Sequence, residues 1–213
     1  MKHILCYGDS LTWGYDAETS ARFPYDKRWT GILQKELGHA YRIIEEGLNG
    51  RTTVFNDAFT PNQAYGVGAD VLPMILSSHA PLDLVIIMLG TNDFQAHRHA
   101  DAKTAARGCG SCISQVFGSN AGRDNGMPKV LLVAPPVPEK PVGFMEVAFG
   151  DDLSGIEKMA HYYEVTAEFY GVGFMNAAKE VKTNGVDGIH LNEKDNALLA
   201  QCFAEKIRVM LGS

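Results

Sequence analysis

The chain has no apolar run approaching the roughly 20 residues that a membrane-spanning helix needs. It also lacks a predominantly basic amphipathic helix of the kind that attaches to a membrane surface. Neither a membrane nor a nucleic acid is therefore expected as a partner: no basic cluster appears, and 19 Lys and Arg residues stand against 25 Asp and Glu, a formal charge of −6. Internal repeats and low-complexity tracts are missing. Cysteine is sparse, with four residues in 213, which fits reduced thiols and not a disulfide-stapled scaffold. Cys109 and Cys112 form a C-x-x-C pair, yet no further ligand at compatible spacing accompanies them. They fall in a helical stretch, where an i,i+3 pair shares one face, and read as small packing residues. His97-Arg98-His99 has metal-like spacing but no fixed third ligand, so it reads as a solvated loop near a site entrance. No metal and no cofactor are expected. No signal peptide precedes the first strand, and a cytoplasmic location is the expectation.

What is present is enough apolar material for one substantial core. Hydrophobic residues make up 46% of the chain and charged residues 21%, as in a soluble globular protein, and residues 1–213 read as a single domain. Strand-like and helix-like stretches alternate. Strands are expected at Ile4–Tyr7, Tyr41–Glu46, Asp83–Leu89, Lys129–Ala134 and Val172–Met175. Helices are expected at Trp29–Leu37 with Gly38 as C-cap, Ala69–His79 with Pro73 in its first turn, Asp101–Phe117, Leu153–Tyr170 and Glu193–Leu211. The last should carry Leu198, Leu199, Cys202, Ile207 and Met210 on or near one face. Leu84–Leu89 is apolar without alternation, as in a central parallel strand covered on both faces. Five strands alternating with helices imply a three-layer α/β/α arrangement about a parallel sheet. Asp16–Arg28 and Val54–Val67 read as irregular. Val142, Phe144, Met145, Val147 and Phe149 form an apolar stretch that suggests a pocket wall or a subunit contact, with a short packed helix as the alternative.

In an open parallel sheet, ligands bind beyond the carboxyl ends of the strands. The first strand ends at Ser10, the second at Gly47–Gly50 and the third at Asn92, while the chain after the fifth leads to Asp187 and His190. These are the residue types that acyl transfer needs. Ser10 needs a base to take its proton. His190 suits that task, and Asp187, three residues earlier, can hold the imidazole by its other nitrogen. The attacked carbonyl becomes an oxyanion, for which the N–H groups of Ser10 and Gly50 and the Asn92 side-chain amide are available donors. Asp9 and Asp93 read as holding loop backbone. Trp13, three residues past the nucleophile, reads as a substrate-binding pocket wall.

These residues carry a resemblance. Gly8-Asp9-Ser10-Leu11, Gly50, Gly90-Thr91-Asn92-Asp93 and Asp187–His190 are similar, block by block and in order, to the SGNH, or GDSL-type, hydrolase family. Longer stretches, among them Ile4–Gly14, Arg28–Gly31, Ile44–Leu48 and Asp83–Asp93, resemble its bacterial arylesterase/acyltransferase branch. The resemblance implies a flavodoxin-like five-stranded parallel sheet of order 2-1-3-4-5. It also implies Ser10 as nucleophile, His190 as base, Asp187 as its orienter, and Gly50 and Asn92 in the oxyanion hole. Gly50 stands where that branch can carry alanine; either residue offers the backbone donor. The implied activity is hydrolysis of small aryl or alkyl esters, with acyl transfer to alcohols, in closed homo-oligomers, notably octamers. The order 2-1-3-4-5 separates the first and fifth strands by three spacings, about 14 Å. The Asn176–His190 connection must then fold inward over the intervening strands.

Other readings use the same residues. A carbohydrate acetylesterase and a thioesterase or lysophospholipase share the nucleophile and differ in the pocket. A non-catalytic binding module on the same sheet would need no triad.

Overall fold

The computed structural model describes residues 1–56, 59, 66–183 and 186–212. The central strand, β1 (Lys2–Gly8), is apolar through Ile4, Leu5, Cys6 and Tyr7, all essentially buried. A strand with apolar residues at successive positions offers both faces to a core, and the neighbours follow from that. β1 lies between β4 (Tyr41–Gly47) and β5 (Leu84–Met88), parallel to each, and β6 (Lys129–Ala134) and β7 (Gly173–Asn176) extend the sheet in the order β4-β1-β5-β6-β7. Counted along the sheet's own strands this is 2-1-3-4-5, as expected.

Alternate residues of each strand feed two cores. Leu5, Tyr7, Val85, Ile87, Val130 and Leu132 pack with helices α3 (Gly68–His79), α4 (Ala102–Gly118) and α6 (Met159–Tyr170). Ile4, Cys6, Leu84, Ile86, Leu131 and Val133 pack with α2 (Trp29–Leu37) and α7 (Glu193–Leu211). Each fully buried Leu or Ile contributes about 1.5–3 kcal/mol, so the strands are fixed by what covers them. Cys109 and Cys112 are buried in the first core on α4 and are free thiols. Burial pushes the Cys112 thiol up to about 12, which leaves it unreactive.

The elements differ from the sequence expectation in three places. Two short strands, β2 (Tyr15–Asp16) and β3 (Ala21–Arg22), pair antiparallel in the stretch read as irregular. Pro73 is the sixth residue of α3, inside the helix and beyond its first turn. Leu153 does not begin a helix: a 3₁₀ turn at Ile156–Lys158 precedes α6. Leu198 lies near the packed face of α7, as expected, and is 36% exposed. Phe144–Phe149 is the short helix of the alternative reading, α5, with Phe149 buried but Phe144 and Val147 more than 70% exposed. Of the irregular stretch expected over Val54–Val67, residues 57, 58 and 60–65 lie outside the described residues.

The one-turn helix α1 (Ser10–Trp13) follows β1 directly and rests on the end of β4. A Cβ at Gly47 would stand 2.1 Å from the Trp13 nitrogen and 2.5 Å from the Thr12 carbonyl carbon. Only glycine permits this approach of two backbones. Gly47→Ala is therefore expected to cost roughly 1–3 kcal/mol of stability, the usual toll of overpacking, and to displace α1. Urea denaturation measures it, and a change below about 0.5 kcal/mol, the scale of an inert surface substitution, would show that α1 is not seated there.

Candidate active site

Four turns at the carboxyl edge of the sheet carry the expected site residues. The first is α1. Asp9 caps it, its Oδ1 accepting from the Leu11 N–H at 2.9 Å, and Ser10 takes the first helical position. An N–H at that position has no partner within the helix, so Ser10 offers both its hydroxyl and its backbone donor. The second turn is Gly47–Gly50, where Gly50 has φ +76°. The third begins at Gly90, φ +115°, and leads to Asn92. Asn92 Nδ2 donates to the Arg51 carbonyl at 3.0 Å and its Oδ1 accepts from Gln95 Nε2 at 3.2 Å. An amide nitrogen has two hydrogens, and the second is left for another acceptor.

The fourth turn comes from the connection after β7, which folds inward as the strand order requires. Thr183 Oγ1 donates to the Val137 carbonyl at 3.1 Å, the Glu139 N–H donates to Gly188 O at 2.9 Å, and the Val142 N–H to Asp187 O at 3.1 Å. The chain after β6 is thus the platform for the connection. Gly188 has φ +76°, and a Cβ there would meet the Lys140 carbonyl at 2.2 Å. Residues 184 and 185 lie outside the described residues.

The result joins residues 180 apart in sequence. His190 Nε2 is 2.9 Å from Ser10 Oγ, and His190 Nδ1 is 2.6 Å from Asp187 Oδ2. Asp187 Oδ1 also accepts the Ile189 and His190 N–H groups at 2.9 and 3.0 Å. Burial raises the Asp187 carboxyl, but the His190 ring and these two N–H groups outweigh it and bring it down to about 2. An ionised carboxylate only accepts, so Nδ1 carries the proton; Nε2 is then free to accept from the Ser10 hydroxyl. Ser10, His190 and Asp187 are each at most 9% exposed.

Ser10, Gly50, Asn92 and His190 open on one cavity of about 580 Å³. Tyr15, Phe59, Phe144, Met145, Val147, Phe149 and Ile189 make its walls largely apolar. The apolar stretch expected as a pocket wall is one. Trp13 is not among the lining residues. Gly14, in the left-handed region at φ +83°, ends α1 and turns the chain. The Trp13 ring then lies beneath the Arg22 guanidinium, 5.2 Å away, while the Tyr15 ring packs 4.4 Å from that of His190. Tyr15, and not Trp13, is therefore the aromatic side chain of this segment that lines the cavity, beside His190. His97 lines the cavity and meets the Phe59 ring at 4.8 Å. Among the described residues, no group of three His, Cys, Asp or Glu side chains could hold a metal ion. A groove of about 620 Å³ beside α4 and α6 carries none of the triad residues.

Asp9 and Asp93 hold backbone, as expected. Asp93 accepts from the Thr53 N–H at 2.9 Å and from the Thr53 hydroxyl at 2.5 Å. Burial pushes the Asp93 carboxyl up to about 6, against those bonds. It pushes Asp9 up to about 7, against the Leu11 N–H and the attraction of His190 and Arg51.

The GDSL-like lipase/acylhydrolase family model matches residues 6–198. Among solved structures, Est24, a carbohydrate acetylesterase from Sinorhizobium meliloti, is 41% identical with a TM-score of 0.91, over 99% of this chain and 100% of that one. The aryl esterase of M. smegmatis is 41% identical with a TM-score of 0.90, over 98% and 99% of the two chains. A second carbohydrate acetylesterase family member from S. meliloti is 35% identical with a TM-score of 0.93, over the whole of both chains. Comparison with the curated proteins gives no match.

The two kinds of carboxylate have opposite effects on stability. Asp9 stays protonated in the folded chain up to about 7 while its unfolded value is 3.8. It therefore opposes folding increasingly as the pH rises between those values. Asp187, lowered from 3.8 to about 2, stabilises the fold above the first value and loses that contribution as the pH falls through the second. Asp9→Asn keeps a cap and removes an ionisation. Its stability in urea should fall less between about pH 4 and pH 7 than that of the parent chain. Parallel pH profiles would show that Asp9 does not titrate in this range.

Proposed function

We propose, from the premise that the chain belongs to the GDSL-like lipase/acylhydrolase family and is a carboxylic ester hydrolase, that it cleaves small, apolar aryl or alkyl esters through an acyl-enzyme at Ser10. The single observation that carries this reading is the relay from Asp187 through His190 to Ser10, at 2.6 and 2.9 Å, at the wall of the apolar cavity.

The chemistry follows from the donors and acceptors. Ser10 Oγ attacks the ester carbonyl carbon as its proton passes to His190 Nε2. The carbonyl oxygen gains the charge and accepts from the Ser10 and Gly50 N–H groups and the second hydrogen of Asn92 Nδ2. Loss of one such donor typically costs about 10²–10³-fold in turnover. Asp187, ionised at neutral pH, holds the ring and offsets the charge of the imidazolium. The C–O bond breaks and Nε2 protonates the departing oxygen. Water then gives a proton to Nε2 and attacks the acyl carbon, and collapse returns Ser10 and the free acid. An alcohol in place of water yields a new ester by the same steps.

The walls support an apolar ester over a sugar ester. Phe59, Phe144, Met145, Val147 and Phe149 have apolar side chains that offer area and no hydrogen bonds, and they stand beside fewer polar ones such as Asn49, Gln95 and His97. A site that reads hydroxyl groups would surround them with partners. Ser10→Ala should abolish turnover of an aryl acetate and covalent labelling by a fluorophosphonate, with the fold retained. The parent should prefer the aryl acetate to an acetylated monosaccharide by at least about tenfold in kcat/KM, the discrimination expected of a hydrophobic pocket. Turnover by the alanine variant would sink the serine mechanism, and a reversed preference would favour the carbohydrate acetylesterase reading.

The same face supports self-association. Phe144 and Val147, 75% and 77% exposed at the cavity wall, are apolar side chains that a second copy would cover. Light scattering at micromolar concentration should give a multiple of the monomer mass; the monomer mass alone would remove this part of the reading.

A further inference from the structure

We propose that Arg51 is the positioning residue of the oxyanion hole, holding in one fixed relation the three turns that carry its donors. The proposal rests on the serine-esterase reading above and extends it to a residue that does not touch substrate.

The three donors belong to separate segments, and each is tied to Arg51. Its Nη1 donates to the Gly8 carbonyl at 2.9 Å, two residues before Ser10, and also to the Glu46 carbonyl at the end of β4. The peptide that joins it to Gly50 makes any shift of Arg51 a shift of that turn. Its own N–H donates to Leu48 O at 3.1 Å, and the Leu48 N–H donates to Gly8 O at 3.1 Å, which closes the turn on the end of β1. Its carbonyl accepts one hydrogen of Asn92 Nδ2 at 3.0 Å. That bond fixes the amide plane and directs the other hydrogen away from Arg51.

The cost of this residue argues that it is more than a packing element. Arg51 is 4% exposed, and its Nε has no hydrogen-bond partner. The guanidinium carbon lies 4.3 Å over the Tyr7 ring. Among the described residues no carboxylate forms an ion pair with it: the Glu46 and Asp9 charges attract it, but Glu46 bonds it through its backbone oxygen and pairs its carboxylate with His79. A buried charge without a paired partner is expensive, and a neutral side chain of similar volume would serve a fold better. What a neutral or shorter side chain cannot do is reach two strand-end carbonyls with one planar donor group. Misplacing an oxyanion donor by a fraction of an ångström lowers the reaction barrier's stabilisation while leaving ground-state binding in the apolar cavity alone.

The test uses Arg51→Gln and Arg51→Lys in the full chain, with Ser10→Ala as control. For an aryl acetate, Arg51→Gln should lower kcat by about 10²-fold, the scale of one lost oxyanion donor, with KM within about threefold. Affinity for an aryl boronic acid, which mimics the tetrahedral adduct, should fall in proportion to kcat. Arg51→Lys, which keeps the charge and can reach one carbonyl, should recover part of both. Arg51→Gln with kcat and boronate affinity near the parent values would overturn the proposal, as would a loss confined to KM. If Arg51→Gln does not fold, Arg51→Lys carries the same readouts; failure of both to fold would assign Arg51 to the fold and also overturn it. Activity in Ser10→Ala would instead remove the underlying serine reading, so the two failures are distinct.

Discussion

The constraint on which the site depends is the parallel order of the sheet. A strand that must run parallel to its neighbour returns through a crossover, and every strand then ends at the same edge. β1, β4, β5 and β6 therefore deliver Ser10, Gly50, Asn92 and the 137–142 platform to one rim. The fifth strand lies too far from the first for its following residues to reach Ser10 directly. The connection from β7 crosses that gap by hydrogen-bonding backbone to backbone on the platform after β6. His190 thus reaches Ser10 by the same means that a sheet uses to add a strand, although no strand forms there among the described residues.

That rim gathers polar groups under the edge of two apolar cores. Asp9, Thr12, Thr53, Asp93 and Thr183 are fully buried, and Arg51, Asn92 and His190 nearly so. Burying a polar group costs several kcal/mol unless it is hydrogen-bonded. Most of these groups are matched to backbone N–H or C=O groups of neighbouring turns, so their cost is offset by fixing those turns. Asp93 and Thr53 join the third turn to the second, Arg51 joins the second to the first, and Asp187 closes its own turn on Ile189 and His190. Asp9 Oδ2, Thr12 Oγ1 and Arg51 Nε are left unmatched, and the Asp9 and Arg51 charges attract one another. Stability is given up there, next to the nucleophile, which is where strain and unpaired charge tend to collect in enzymes.

The parallel sheet was legible because its signal is local. Runs such as Leu84–Leu89 and Val130–Ala134 are apolar on consecutive residues and bounded by turn residues, as in a doubly covered strand. The helices were legible where caps were, as at Gly38. Errors arose where tertiary packing overrode local preference. Tyr15–Asp16 and Ala21–Arg22 are too short to show a strand period, and they pair because the chain reverses at residues 17–20, where the Asp16 carboxylate accepts the Glu18 N–H and the Thr19 hydroxyl, and because the Phe23 N–H meets the Gly14 carbonyl. Pro73 sits inside α3, where buried Leu72, Ile75 and Leu76 hold the helix against its missing donor. The candidate triad could be read because its residue types are rare in such an order. The cavity walls could not. Phe59 and His97 are brought together from loops without periodicity, and the choice between Trp13 and Tyr15 turns on one left-handed glycine.

That glycine also explains how a mobile type of element becomes rigid at the nucleophile. An isolated helix of four residues has no stability of its own, since nucleation fixes three residues for one hydrogen bond. α1 is held instead from every side. The Asp9 side chain caps its start, the Gly14 N–H closes its end on Ser10 O, and Gly47 lets β4 press against its backbone. Arg22 Nε donates to the Trp13 carbonyl at 2.7 Å, and the Arg22 guanidinium lies over the Trp13 ring. Trp13 therefore anchors the far end of the nucleophile's helix while Tyr15 faces the imidazole. The two aromatic side chains near Ser10 divide the work of holding the serine and bounding the base, and the left-handed turn between them sets which does which.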